Sequence, residues 1–196
     1  MAAQDPREIV VGPLEIWLAA AVEAEDSVSA TPSGNWGKVG TSGDENYTED
    51  GVTITHSQTV QEHRAVGATG PLKATRTEES LTIAFTLMDM SIAQLTKLLN
   101  NTTKSTDTTP NIDYIGLRRG PDITVLSAIA RGTGLSPSGA YNIQLYVPRC
   151  YNKLGDISPV FNKGTPVGCA AVFSALEYQS AATEEQRFGR WVVQTS

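Results

Sequence analysis

The chain has 196 residues, 40% of them hydrophobic and 18% charged, and its fifteen Lys and Arg against twenty-one Asp and Glu give a formal net charge of −6. That length predicts one domain, residues 1–196, whose core can form without disulfide or metal staples. The acidic balance argues against a nucleic-acid-binding footprint, which needs clustered basic residues, and no run of about 18 apolar residues offers a membrane span.

The opening MAAQDPREIVVG is broken by charge and carries no apolar signal-peptide region, so a soluble chain made in the cytoplasm is expected. In PLEIWLAAAVEA, Ile16 and Leu18 alternate with Glu15 and Trp17. The preceding Pro13 and the following DSVSATPSGNW favour a strand over a helix there. Residues 23–50 then hold seven acidic side chains (Glu23, Glu25, Asp26, Asp44, Glu45, Glu49, Asp50) and one base, Lys38, and so carry the whole net charge. A solvated loop is the plain reading, and a surface that avoids polyanions the sharper one. A short strand is expected at 36–40.

GVTITHSQTV puts Val52, Ile54 and His56 on one face, and SLTIAFTLMD puts Leu81, Ile83, Phe85 and Leu87 inward with Thr82, Ala84 and Thr86 outward. DMSIAQLTKLLNN reads as a helix over 91–100, capped by Ser91 or Asp89 and ended by Asn100 and Asn101. Its stripe of Ile92, Leu95, Leu98 and Leu99 is expected to pack on the outer face of the sheet. NTTKSTDTTPN reads as a polar loop. IDYIGLR, ITVLSAIAR, AYNIQLYVPR, PVGCAAVFSALEYQS and FGRWVVQ read as further strands. The fold class is therefore mostly β: a β-sandwich or partial barrel with one packed α-helix and a long extended arm.

Signs of chemistry are sparse. Cys150 and Cys169 stand nineteen apart without a CxxC, which excludes the common zinc patterns and leaves buried free thiols as the default. A disulfide would need a site outside the reducing cytoplasm. His56 and His63 are the only histidines, one on a strand and one in the arm, and polar contact is the expected role of both. Glu78 and Glu79, like Glu184 and Glu185, point to opposite faces if extended, and Arg118 and Arg119 read as a strand-end basic pair. No GxSxG, HExxH, GxGxxG or GxxxxGK(S/T) occurs. Neither enzymatic activity nor a cofactor is expected.

Residues 57–77 remain. This segment leaves one alternating strand and returns as another, turns at Gly67, Gly70 and Pro71, and has few large apolar groups. A long insertion without its own core is commonly functional, and extended edges suit assembly with another copy. The run WGKVG…EDGVTITHSQTVQEHRAVGATGPLKATRTEESLTIAFTLMDMSIAQLTKLL, residues 36–99, resembles the tail tube (major tail) proteins of long-tailed bacteriophages. The likeness lies in order and spacing: a Trp-Gly pair, an acidic strand, an arm, a returning strand and a helix.

The resemblance implies homo-hexameric rings stacked into a hollow tube for DNA passage, with strands of each subunit joining a ring-wide barrel and the helix outside. It makes the arm the part that meets the next ring, with Gln61, Glu62, His63, Arg64, Val66, Leu72 and Lys73 as contact candidates. Glu45, Glu49 and Asp50 are the candidates for a negative channel lining, which would let DNA slide rather than bind. Tape measure, tail tip and terminator proteins would be partners, assembly would occur in the host cytoplasm, and the product would be a virion tail. The alternatives are a β-sandwich binding or capsid-decoration module and, less favoured, a hydrolase whose site is gathered from scattered residues.

Overall fold

A computed structural model describes residues 12–41, 46–67, 69–99, 103–118, 120–134, 141–154, 158–159, 161, 163–164 and 167–195. Its strands are β1 (Glu15–Ala20), β2 (Gly37–Lys38), β3 (Tyr47–His63), β4 (Lys73–Leu87), β5 (Lys104–Thr108), β6 (Asn111–Ile115), β7 (Leu126–Gly132), β8 (Ile143–Asn152), β9 (Cys169–Ala175) and β10 (Arg190–Val193). One helix, α1 (Ile92–Leu98), follows β4. The main sheet runs β2-β1-β7-β8-β9-β4-β3, wholly antiparallel, and β5 and β6 form a separate hairpin. The fold is mostly β, as the alternation predicts.

Strand β8 forks the sheet. One of its edges pairs with β7, while the other is divided, with residues 143–146 bonded to β10 and 150–152 to β9. Beyond β9 the sheet continues through β4 to β3, whose Tyr47 comes back to β1. The Tyr47 hydroxyl accepts the Ile16 N–H at 3.0 Å and donates to the Val39 carbonyl at 3.0 Å. The Tyr47 side chain thus links β3 to β1 and to the residue after β2, and no ladder joins these strands among the described residues.

The enclosed face holds the core: Ile16 and Leu18 of β1, Leu81, Ile83, Phe85 and Leu87 of β4, Leu145 and Val147 of β8, and Ala171 and Phe173 of β9. In β4 every second residue from Leu81 is buried and the Thr and Ala between them are not, which is the period a one-sided strand requires. Phe85 stacks on Phe173 with centroids 6.0 Å apart, and Tyr47 meets Phe85 edge-on at 5.3 Å. Gly40 closes this end of the core. Its φ of +92° is a glycine conformation, and a Cβ there would lie 2.2 Å from the Asn46 side chain.

The opposite face carries a second, smaller cluster. Register aligns Lys38, Trp17, Ile129, Tyr146 and Arg190 across five strands, and residues 21–35 fold over this row. Arg131, 3% exposed, donates to the carbonyls of Ser27, Val28 and Ala30. Tyr146 donates to the Glu23 carbonyl at 2.7 Å, and Arg190 Nε donates to Glu25 at 2.7 Å. Asp26 accepts the backbone N–H of Ser33 and then that of Ser27, and these bonds hold its carboxyl below the usual range. The first part of the acidic stretch is thus a fastened covering and not a free loop.

Two sequence expectations need correction. The helix spans seven residues rather than 91–100, with Leu99 extended as its C-cap, and Asn100 and Asn101 lie outside the described residues. Its buried residues are Gln94 and Leu98, and Leu98 belongs to the enclosed core, so the helix packs on the inner side of the sheet. Polar partners rotate it there: Gln94 accepts the Gly40 N–H at 3.0 Å, and Asn152 donates to the Leu98 carbonyl at 2.7 Å. Ser91 is the N-cap without a side-chain cap bond, and Asp89 accepts the Ser91 N–H at 3.0 Å.

The second correction is β5, which lies where a polar loop was expected. It lacks apolar alternation because its pairing is polar, with Lys104 bridging Asp113 at 2.8 Å and Thr106 donating to Asp113 at 2.6 Å. Cys150 and Cys169 are both buried and not in a disulfide, in agreement with the default reading. Burial pushes the Cys150 thiol up to about 12.

Candidate assembly surfaces

Beyond Ile54 the β3–β4 pair leaves the body, and β3 is exposed on both faces from Thr55 to His63. The residues are Thr, Val, Ser, Gln and charged types, which satisfy a ladder without supplying a core. From the His56–Leu81 pair to the His63–Lys73 pair the projection is about 25 Å at about 3.4 Å per residue. Its pairing is internal, so the strands are not separately available to a neighbour. Two outer edges stay without a ladder among the described residues: all of β3, and β4 from Lys73 to Leu81. An isolated two-stranded hairpin is marginal in water, so such a projection gains most of its order from what it touches.

Cross-strand polar pairs brace it. Ser57 and Ser80 share a hydroxyl bond at 2.8 Å, and His63 Nε2 lies 2.9 Å from the Thr75 hydroxyl. At the root, on the same face as Leu81, His56 Nε2 lies 2.7 Å from Glu79. Arg76 donates to Gln58 at 2.6 Å and pairs with Glu79 at 3.5 Å. A register shift between Thr59 and Val60 divides this braced root from the distal part.

All seven contact candidates lie in that distal part and are exposed. Gln61, Glu62 and His63 end β3, and Arg64 follows and pairs with Glu62 at 3.1 Å. Val66 sits in the turn at 108% relative exposure; Leu72, 70% exposed, donates its N–H to the His63 carbonyl at 2.8 Å; Lys73 begins β4. The channel candidates are less concentrated. Glu45 lies outside the described residues, while Glu49 and Asp50 are exposed at the body end of β3. They fall in the register shift between Tyr47 and Val52, where Gly51 has a φ of +64°.

The sequence did not reveal a cleft at the root of the hairpin. The fork of β8 separates the β9–β4 branch from β10, and the segment joining β9 to β10, with a 3-10 turn at Glu184–Gln186, runs between them. A cleft of ≈ 420 Å³ opens there, lined by Leu81, Leu145, Phe188 and Trp191 with His56, Glu79, Glu185 and Arg190 at its polar parts. It adjoins a more polar hollow where Arg187 bridges Glu177 at 2.8 Å and Glu184 at 3.4 Å. These residues are far apart in sequence. The one local signal was that Glu79 continues the inward alternation of Leu81 and Ile83.

The β5–β6 hairpin is a second exposed feature. Ile112 and Tyr114 share one of its faces, opposite the polar face of Lys104, Thr106 and Asp113. Among the described residues no three His, Cys, Asp or Glu side chains converge as a metal-binding set. No protein-family model and no curated protein matches the chain.

Proposed function

We propose that the chain is the structural subunit of a bacteriophage tail tube, forming hexameric rings that stack into a channel for DNA. The observation that carries this reading is the β3–β4 hairpin, a projection of about 25 Å with two open edges and apolar residues at its tip. Within a lone subunit such a projection buries nothing and offers edges that favour association. The order of elements along residues 36–99, with the resemblance described above, makes the tube the specific form of that association. Tape measure, tail tip and terminator proteins are the corresponding partners, and the virion tail the location.

Deletion of residues 61–72 across a short Gly/Ser bridge tests the reading. Closing a loop costs only about 0.6 kcal/mol per doubling of length, so the shortened subunit keeps its circular-dichroism spectrum and cooperative melt. Full-length protein forms rings or tubes in electron micrographs and sediments as large particles; the shortened protein does not polymerise. A full-length protein that stays at the mass of one subunit under all assembly conditions favours the binding or decoration module instead.

A further inference from the structure

We infer that the cleft at the root of the hairpin is the socket for the hairpin tip of a second copy of this chain. The inference rests on the assembly reading above and identifies the surface that receives the projection. Tip and socket are complementary in two respects. The tip presents Val66 and Leu72, the most exposed large apolar residues of the hairpin, and the socket presents the half-exposed Trp191 and the partly buried Phe188, with the buried Leu81 and Leu145 as its floor. Its ≈ 420 Å³ falls within the about 300–1,000 Å³ of ordinary binding clefts.

Charge agrees with shape. Around the tip, Arg64 and Lys73 outweigh Glu62; along the cleft and the hollow that adjoins it, Glu79, Glu177, Glu184 and Glu185 outweigh Arg76 and Arg187, while Arg190 is engaged by Glu25. The tip therefore carries positive charge toward a negative rim, which favours that docking and disfavours tip against tip or rim against rim. A braced antiparallel hairpin cannot fold back over about 25 Å to fill its own root. A tip that fills this cleft therefore comes from another copy, and because donor and socket are different surfaces the contact is heterologous: each subunit that inserts a tip still offers an empty socket, so the contact propagates.

Paired variants test this. Val66→Asp with Leu72→Asp disables the tip, and Trp191→Ala with Phe188→Ala disables the socket. Each variant alone stops at the particle formed without the contact, a single ring or a single subunit. A mixture of the two stops at twice that mass, because one intact tip meets one intact socket and nothing continues the chain. Trp191→Ala alone raises the concentration needed for polymer about thirtyfold, as loss of a buried aromatic anchor does.

Charge reversal supplies a check independent of packing. Arg64→Glu with Lys73→Glu blocks polymer, and adding Glu184→Lys with Glu185→Lys restores it. All four residues are exposed and the two ion pairs lost, Arg64–Glu62 and Glu184–Arg187, are surface pairs that contribute little to stability, so the fold is kept, as circular dichroism checks. If wild-type protein polymerises while the socket variant does so equally well, and reversal of the rim has no effect, the socket assignment is overturned and the assembly reading stands. If wild-type protein never associates, the assembly reading itself fails and the socket assignment fails with it.

Discussion

The hydroxyl of Tyr47 sits at the end of the β1–β2 pair, where Val39 still donates its N–H to the Ile16 carbonyl at 2.8 Å, and bridges the Ile16 N–H and the Val39 carbonyl. It completes both groups inside the core and links one end of the sheet to the other. Tyr47→Phe keeps the ring against Phe85 but leaves a buried donor and a buried acceptor without their partner, at about 1–3 kcal/mol in a urea melt. The same burial has a consequence at alkaline pH. It pushes the Tyr47 phenol up to about 12 against the opposing Ile16 N–H bond, and the Cys150 thiol up to about 12. Both groups hold their protons more tightly folded than unfolded. Their contribution is therefore complete below the unfolded values and is lost as pH rises, from about 9 for the thiol and about 10 for the phenol, up to about 12. Melts across that range should show stability falling from about pH 9, and Cys150→Ala should make the early part of that fall shallower.

Among the elements, α1 shows what a hydrophobic stripe can and cannot reveal. Leu98, 1% exposed within the core cluster, should cost about 2–5 kcal/mol on change to Ala, and the half-buried Ile92 distinctly less. Urea melts of the two variants check the order. The existence of this helix was legible in the spacing of Ile92, Leu95 and Leu98, but its orientation was not, because the deciding residue is the polar Gln94 reaching for Gly40. In β4 the alternation of Leu81, Ile83, Phe85 and Leu87 against Thr and Ala gave both the strand and its inner face. In β5 the pairing rests on Lys104, Thr106 and Asp113, side chains that mark loops just as often. The hairpin could be read locally, since a β-rich segment without core residues has few other forms. Its socket could not, because Leu81, Leu145 and Trp191 meet only through the fork of β8.

Across the whole molecule, the acidic stretch that looked continuous in sequence divides between surfaces. Glu23, Glu25 and Asp26 are fastened in the covering over Tyr146 and Arg131, whereas Glu49 and Asp50 stand free on the edge strand at the body end of the hairpin. In a tube only carboxylates on the channel side act on passing DNA, and charges beyond about 8 Å are largely screened at physiological salt. Glu49→Lys with Asp50→Lys should therefore make assembled protein retain DNA at low salt and release it as salt rises, measured by co-sedimentation. No retention at low salt would place both side chains away from the channel.

The route from the hairpin into the body also determines how the subunit bears load. A pull along the projection passes down β4 and reaches β9 through six aligned residue pairs, from Thr82–Ser174 to Leu87–Cys169, and then enters β8 through only three. Along the strand axis the hydrogen bonds of the first ladder resist together, in shear, whereas a sideways pull unzips them one after another. A load along the projection should therefore meet more resistance than one across it, and the shorter β8–β9 junction, three pairs at Cys150–Asn152 flanked by the Leu176–Arg149 and Lys153–Val172 backbone bonds, should be the first to part.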